Sequence, residues 1–292
     1  MRSDDWHLTD DVDEFLAGAG DFLRSRPALH NTPLTETEKM RVSGTDAPAA
    51  LFGRLETEGE VRAAFYRTPR GYIHVTPLPA PRMGALADRL VSVGLSPAGV
   101  VAEHATAAAF AEAWQRRTGT VPVPFWATHL YRLGALNPPL PGPEGSGRGT
   151  EPADREHVVR WCREFCVEVG EQHSIDLIDA GSWSESRFGD RHFTFWRAAD
   201  GSPVSMAAGT SPVGGVIRID PVYTPASLRG RGYAGAVTAA VSRASLAAGA
   251  TDVVLYADPA NATSNALYQR LGFVRLADFA GYRFPDPREE AG

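Results

Sequence analysis

Cysteine is nearly absent from this chain of 292 residues, with only Cys162 and Cys166. Two thiols are too few for a disulfide framework, and a structural zinc site needs more ligands nearby. Their i, i+4 spacing puts both on one face of a helix, so the sequence predicts reduced core thiols. Lysine is just as scarce. Lys39 is the only one, and the cationic residues are otherwise arginine. That bias reads as codon usage and carries no chemistry. The formal net charge is −6, which gives no general attraction to phosphate backbones or anionic lipid. Nucleic acid and membrane surfaces are therefore excluded as default partners. No apolar run reaches the ~20 residues of a membrane span. The first residues, Met1 to Asp5, are acidic and lack the apolar stretch of a signal peptide. The expected location is the cytoplasm. A Gly-Lys-Ser/Thr phosphate loop is also missing.

What is present is a globular composition, with 43% hydrophobic, 22% charged and 9% aromatic residues. The length suits two domains. A stretch rich in Pro and Gly, 138–153, can bury no face and reads as an exposed linker. It divides the chain into domains 1–137 and 154–292. In the second, the patterning predicts a helix at 156–168, strands at 192–197, 204–209 and 216–223, and an Ala-rich helix at 229–248. A short buried strand at 253–257, a helix at 262–271 and one or two strands at 273–284 follow. The first domain shows helix 12–24 and strands 51–58, 61–67 and 72–78. Helix 82–93, strand 100–102, helix 105–117 and strand 126–133 complete it. The last six elements agree in kind and order with those of the second, so the expected fold is a tandem of two α/β domains with mixed sheets.

The informative segment is Val222-Tyr-Thr-Pro-Ala-Ser-Leu-Arg-Gly-Arg-Gly-Tyr-Ala234. A strand ends, a Gly-rich turn follows and a helix starts. The first turn of a helix offers unpaired N–H groups and the positive end of the dipole, and glycines let a pyrophosphate approach. A second segment, Asn261-Ala-Thr-Ser-Asn-Ala-Leu-Tyr-Gln-Arg-Leu-Gly-Phe273, lies beyond the next strand. Together they resemble the acetyl-CoA site of the GNAT superfamily of N-acyltransferases. Arg229, Gly232 and Ala234 fill that family's Arg/Gln-x-x-Gly-x-Gly/Ala pattern, and Asn261, Tyr268, Gly272 and Phe273 fill its second pattern. The motifs cover about 155–285. The first domain shares only the element order. Its counterpart of the phosphate loop, Pro81-Arg-Met-Gly-Ala-Leu86, has one glycine, and its counterpart of Tyr268 is read as Trp114. The resemblance therefore implies two GNAT-like domains with an active second copy and a degenerate first copy that shapes or covers the substrate cleft. Tandem arrangements occur in this superfamily, for example in mycothiol synthase and the Fem-type aminoacyl transferases.

The resemblance also implies roles. Backbone groups of Val222, Tyr223 and Thr224 would pair with the pantetheine arm. The N–H groups of Arg229, Gly230, Arg231, Gly232, Tyr233 and Ala234 would hold the pyrophosphate, with both arginines adding charge. Asn261, Ser264 and Asn265 would bind the cofactor arm, although Asn261 also suits a helix cap. Tyr268 would protonate the leaving thiolate, against an alternative of plain core packing. Some family members place a basic carboxylate where Arg218 stands here. Asp220, two residues on and on the same face, is the candidate base, with His173, Glu185, Asp258 or a water chain as substitutes. The expected activity is transfer of an acyl group, most simply acetyl, from CoA to a primary amine, without a metal. The acceptor would be a small molecule or peptide, and the protein a monomer or homodimer. The competing readings are an aminoacyl or thiol-synthase-like transferase and a CoA-binding sensor without turnover.

Overall fold

A computed structural model of the chain describes residues 5–43 and 51–285. The acidic N-terminal stretch therefore lies outside the described residues, apart from Asp5. The elements run β1 (Asp5–Thr9), α1 (Val12–Ser25), α2 (Asn31–Ser43), β2 (Leu51–Thr57), β3 (Glu60–Arg67), β4 (Tyr72–Val75), α3 (Ala80–Ser92), β5 (Gly99–Glu103), α4 (His104–Thr118) and β6 (Val123–Leu133). They continue with β7 (Ser146–Gly149), α5 (Arg155–Val169), α6 (Gln172–Asp179), β8 (Arg191–Arg197), β9 (Pro203–Thr210), β10 (Val216–Tyr223), α7 (Tyr233–Ala247), β11 (Asp252–Ala257), α8 (Ala262–Arg270) and β12 (Phe273–Arg283). The chain forms two compact units, Met1–Leu130 with Leu276–Gly292, and Tyr131–Arg275.

The first unit has strand order β1-β2-β3-β4-β5-β12. Neighbours are antiparallel as far as β4, β4 and β5 are parallel, and β12 returns antiparallel through Phe279↔Glu103. The second unit repeats the scheme as β7-β8-β9-β10-β11-β6. It is antiparallel up to β10, and β10 and β11 are parallel. Each unit thus takes its sixth strand from a distant part of the sequence, the first from the far end of β12 and the second from the end of β6. The expected boundary at 138–153 moves accordingly to Leu130/Tyr131 and Arg275/Leu276.

The stretch read as linker belongs to the second unit. Its Ser-Gly-Arg-Gly portion is β7, paired with β8 from Ser146↔Arg197 to Gly149↔Thr194. Arg148 anchors it through ion pairs to Glu151 and Asp154, and Arg197 joins Asp154 at 2.9 Å. Composition alone could not show this, because the strand is held by neighbours and not by apolar side chains. Three other elements lacked a sequence signal: β1, α2 and α6. The α2 sequence is largely polar, with no clear apolar stripe. Conversely, α1 was readable because Asp11 caps it, accepting from the N–H groups of Asp13 and Glu14. Such a cap contributes ~1 kcal/mol.

In the first unit one core runs from Trp6 and Phe65 through Met83 and Phe110 to Phe284, and Phe15, Leu23 and Phe52 are buried outside it, with Phe15 stacked on Phe52. The second unit has a core on each sheet face. Val237, Val241, Leu255, Tyr268 and Phe273 pack on the α7/α8 side, while Trp161, Cys162, Cys166, Ile178 and Phe195 pack under α5 and α6. Both thiols are buried and free. Burial, with Glu171 beside it, pushes Cys166 up to about 12, so neither is a reactive thiolate. Among the described residues no helix is long and apolar enough to cross a membrane.

Gly272 closes α8 with φ +96, and a Cβ there would sit 1.8 Å from the Ala135 carbonyl oxygen. That carbonyl lies in a segment bonded to the same turn through Gly134 N–H to Gly272 C=O and Asn137 N–H to Leu271 C=O, both 2.9 Å. Gly272→Ala is expected to destabilise the protein by roughly 2–4 kcal/mol, read as the midpoint of chemical denaturation. An unchanged midpoint would contradict this backbone contact.

Candidate active site

The site begins where β10 leaves β11. Their parallel register runs from Val216↔Asp252 to Ile219↔Leu255, yet β10 continues to Tyr223, held there by β9 alone through Val222↔Ala207 and Tyr223↔Met206. A bulge between Ile219 and Val222 makes the turn away, and Pro221 offers no N–H to a ladder. The result is a strand end with one open edge. Side chains flank it on two sides: Val222 packs toward the α7/α8 core, and the Tyr223 hydroxyl donates to Glu164 at 2.9 Å. Thr224 is buried beside Ser205, with hydroxyls 2.8 Å apart.

The next element is a loop with a short 3-10 turn, and α7 starts at Tyr233, four residues later than expected. Gly232 is its N-cap in the left-handed region, φ 82, and no side chain caps the helix. The first intrahelical bond reaches from Ala236 N–H to Gly232 C=O at 3.1 Å. The N–H groups of Tyr233, Ala234 and Gly235 thus head the helix without intrahelical partners. Gly230 is exposed, with φ 78, and a Cβ there would meet nothing within 4 Å. This geometry suits an anion approaching along the helix axis. The arginine side chains are placed differently from the expectation. Arg229 donates to the Thr224 carbonyl at 2.9 Å and pairs with Glu168 at 2.5 Å. Arg231 is exposed and reaches the Ser227 carbonyl at 3.5 Å. Arg229 therefore braces the loop against α5, and the N–H groups that head α7 stay open.

In α8, the Asn261 side chain accepts from Ser264 N–H at 3.0 Å, so it is the helix cap. Asn265 is also committed. It donates to the carbonyls of Asp258 and Asn261, both at 2.8 Å, and accepts from Tyr131 at 2.9 Å. Both side chains thus hold α8 in place through bonds within the unit. Tyr268 has a buried ring near Tyr131 and Phe273. Its hydroxyl has no hydrogen-bond partner among the described residues. Burial pushes its phenol well above the ordinary value, and the charge of Asp220 adds to this.

Asp220 differs most from its expected role. Its carboxylate takes a 2.6 Å bond from Arg187. Burial opposes its charge, but Arg187, Arg191 and Arg218 hold the carboxyl below the usual value. An acid that gives up its proton so readily is a poor general base. The sequence could not reveal this, because Arg187 and Arg191 come from the approach to β8, about 30 residues away. The substitutes offer little more. His173 and Glu185 are exposed, and Asp258 is exposed and accepts from Ala260 N–H at 2.8 Å.

The equivalent place in the first unit is closed. All four residues of β4 pair with β5, from Tyr72↔Gly99 to Val75↔Ala102. Beyond them, Thr106 Oγ1 accepts from Leu78 N–H at 3.0 Å and donates to its carbonyl at 3.1 Å. Thr106 lies three residues past the α4 cap, as Ser264 lies past the α8 cap. The Ser264 hydroxyl makes no such bond among the described residues. Helix α3 starts from Pro79 in place of a left-handed glycine, and Pro81 removes one N–H from its first turn. The counterpart of Tyr268 is corrected: Phe110, not Trp114, stands seven residues past the cap Glu103, as Tyr268 does past Asn261. Neither aromatic carries a hydroxyl, and both are buried in a stack with Phe284. Among the described residues no group of three or more His, Cys, Asp or Glu is arranged to hold a metal ion.

Comparison with known proteins agrees with this architecture. Residues 156–273 match the sequence model of the acetyltransferase (GNAT) family. Solved structures share the fold over nearly the whole chain. A GCN5-related N-acetyltransferase from Sphaerobacter thermophilus is 19% identical, covers 95% of each chain and has a TM-score of 0.54. A GNAT-family acetyltransferase from Colwellia psychrerythraea is 10% identical, over 96% of this chain and 100% of its own, with a TM-score of 0.55. A tandem GNAT protein from the clavulanic acid biosynthesis pathway is 14% identical, over 95% and 98%, with a TM-score of 0.55. The chain is thus a tandem of two GNAT-fold units. No curated protein matches it in sequence.

Asp220 also contributes to stability, with a defined sign. A carboxyl whose folded pKa lies below its unfolded value stabilises above the unfolded value, and that stability is lost as pH falls through the folded one. Asp220→Asn should cost about 2–3 kcal/mol at pH 7, allowing for the partial exposure of Arg187. The gap from wild type should close below pH ~4. Urea titrations of both proteins at pH 7 and pH 3.5 check this. A gap that is constant with pH would contradict it.

Proposed function

We propose that the second unit transfers an acyl group, most simply acetyl, from acyl-CoA to a primary amine by direct attack on the thioester. The observation that carries this reading is one juxtaposition. The open edge of β10 past Ile219 leads directly into the uncapped N-terminus of α7, and the buried Tyr268 lies within electrostatic reach of Asp220 on that strand.

In this reading the pantetheine amides pair with the free edge near Val222, and the pyrophosphate rests on the N–H groups of Tyr233, Ala234 and Gly235. Arg229 and Glu168 hold the loop in place, and the Asn261 cap together with the Asn265 hydrogen bonds fixes α8 so that Tyr268 keeps its position. The amine nitrogen bonds to the thioester carbon, the C–S bond breaks, and Tyr268 supplies a proton to the thiolate sulfur. The amine's proton leaves through water, because Asp220 is held ionised by its arginines. The family's acetyl-CoA chemistry and the fold of the solved relatives support this reading. The closed β4–β5 edge and the Pro-started α3 support one acyl-CoA site per chain.

Two expected outcomes test it. Ala234→Asp places a carboxylate in the first turn of α7, where it favours the helix dipole but repels a pyrophosphate. Thermal stability should hold or rise, while calorimetry should show acetyl-CoA affinity at least ~10-fold weaker. Unchanged affinity would remove the α7 site from the account. Tyr268→Phe keeps the ring packing, and kcat should fall ~10²–10⁴-fold. Because burial raises this phenol, the wild-type rate should show no decline attributable to it near pH 10, the ordinary tyrosine value. Wild-type kcat in the Phe variant would make Tyr268 a packing residue.

A further inference from the structure

The Tyr268 hydroxyl makes no hydrogen bond among the described residues, so no bond at the oxygen itself fixes where it points. Its aim is set by the packing of its ring and by the helical turn that carries it. A phenol that protonates a departing sulfur needs a fixed direction, because a misplacement of about 1 Å can cost ~100-fold in rate. Two aromatic rings lie near it. Phe273 has its centroid 6.1 Å away at 66°, and Tyr131 is 6.4 Å away at 56°. Phe273 offers only its ring, whereas Tyr131 also carries a hydroxyl.

Tyr131, near the end of β6, is 1% exposed and belongs to the same core as Tyr268. Its hydroxyl donates to Asn265 Oδ1 at 2.9 Å and accepts from Gln269 Nε2 at 3.4 Å. Asn265 and Gln269 are four residues apart in α8, about one helical turn, and Tyr268 lies inside that turn. One buried hydroxyl therefore ties both ends of the turn that carries the phenol. The Asn265 amide extends the tie to the start of the helix, where it donates to the carbonyls of Asp258 and Asn261. The chain just after Tyr131 holds the other end of α8, through Gly134 N–H to Gly272 C=O and Asn137 N–H to Leu271 C=O. All of these contacts come from residues that precede the family-matched segment 156–273.

We propose that Tyr131 is a positioning residue for acyl transfer: its hydroxyl holds the 265–269 turn, and its ring packs the phenol, in the orientation from which Tyr268 protonates the thiolate. The proposal rests on the reading above in which Tyr268 is the proton donor. The bond changes are unaltered. The amine forms the C–N bond, the C–S bond breaks, the proton passes from Tyr268 to sulfur, and Tyr131 takes part in none of these steps. Cofactor binding is left alone, because the N–H groups offered to the pyrophosphate head α7, which starts at Tyr233, and not α8.

The test is a double-mutant cycle on the full chain with acetyl-CoA. Thiol release is read with glycine, ethanolamine, phosphoethanolamine and putrescine, and the fastest of these is used throughout. Tyr131→Phe removes one oxygen, keeps the ring and leaves Asn265 Oδ1 without its donor. The turn loosens, and kcat should fall ~10-fold, while the acetyl-CoA Kd from calorimetry should change less than ~2-fold. In the Tyr268→Phe background the same substitution should change kcat by less than ~2-fold, because the residue acts through a phenol that is no longer there. A role in general stability would lower kcat equally in both backgrounds. Asn265→Ala removes the acceptor of the Tyr131 hydroxyl and provides the same cycle if Tyr131→Phe does not fold. Wild-type kcat in Tyr131→Phe, or an equal loss in both backgrounds, overturns this proposal and leaves Tyr268 standing as the donor. Wild-type kcat in Tyr268→Phe overturns both, as does the absence of thiol release with every one of the amines.

Discussion

The second unit depends on a parallel strand pair that stops early. β10 and β11 share four rungs and then separate, while β9 keeps β10 in the sheet up to Tyr223. A strand edge without a partner has unpaired polar groups that water, or a ligand with amides, must satisfy. The rest of the unit is arranged around that opening. α7 brings a helix N-terminus with no side-chain cap, and Arg229 and Glu168 fix the loop that delivers it. α8 is capped by its own Asn261 and bonded through Asn265 to Tyr131. The polar groups left open there are mostly backbone, while Arg229, Asn261 and Asn265 are bonded within the unit.

The first unit shows what the same scaffold does without that opening. Its β4 pairs over its full length, and one threonine hydroxyl closes the space beyond by bonding both backbone groups of Leu78. Thr106 and Ser264 occupy equivalent helical positions, yet one seals an edge and the other leaves its hydroxyl unengaged. The difference between the two GNAT-fold units is therefore a matter of a few hydrogen bonds at corresponding places. Their sheets follow the same order of antiparallel and parallel pairs.

Much of this was legible in the sequence. Glycines at 230 and 232 mark a turn with positive φ before an Ala-rich helix, and the spacing from Asn261 to Gly272 fixed α8 to within one residue. Elements held by tertiary contacts were not legible. β7 is a strand because β8 and three ion pairs, of Arg148 and Arg197 with Glu151 and Asp154, hold it, and α2 has no apolar stripe to announce it. Long-range pairing hid the exchange of the sixth strands, since nothing local says which sheet a strand will join. The same reason hid what holds Asp220 ionised: of its three arginines, Arg187 and Arg191 come from β8 and the segment before it. The step from Trp114 to Phe110 is a one-turn error that only the observed helix cap resolves.

Hydrogen exchange of the full chain with and without acetyl-CoA tests the central claim most directly. Amides leaving the β10 edge and heading α7, at 222–224 and 233–235, should become protected by the ligand. The corresponding segments of the first unit, 76–78 and 80–84, should exchange at the same rate in both states. Protection confined to the first unit, or none at 222–224 and 233–235 under saturating ligand, would contradict the account.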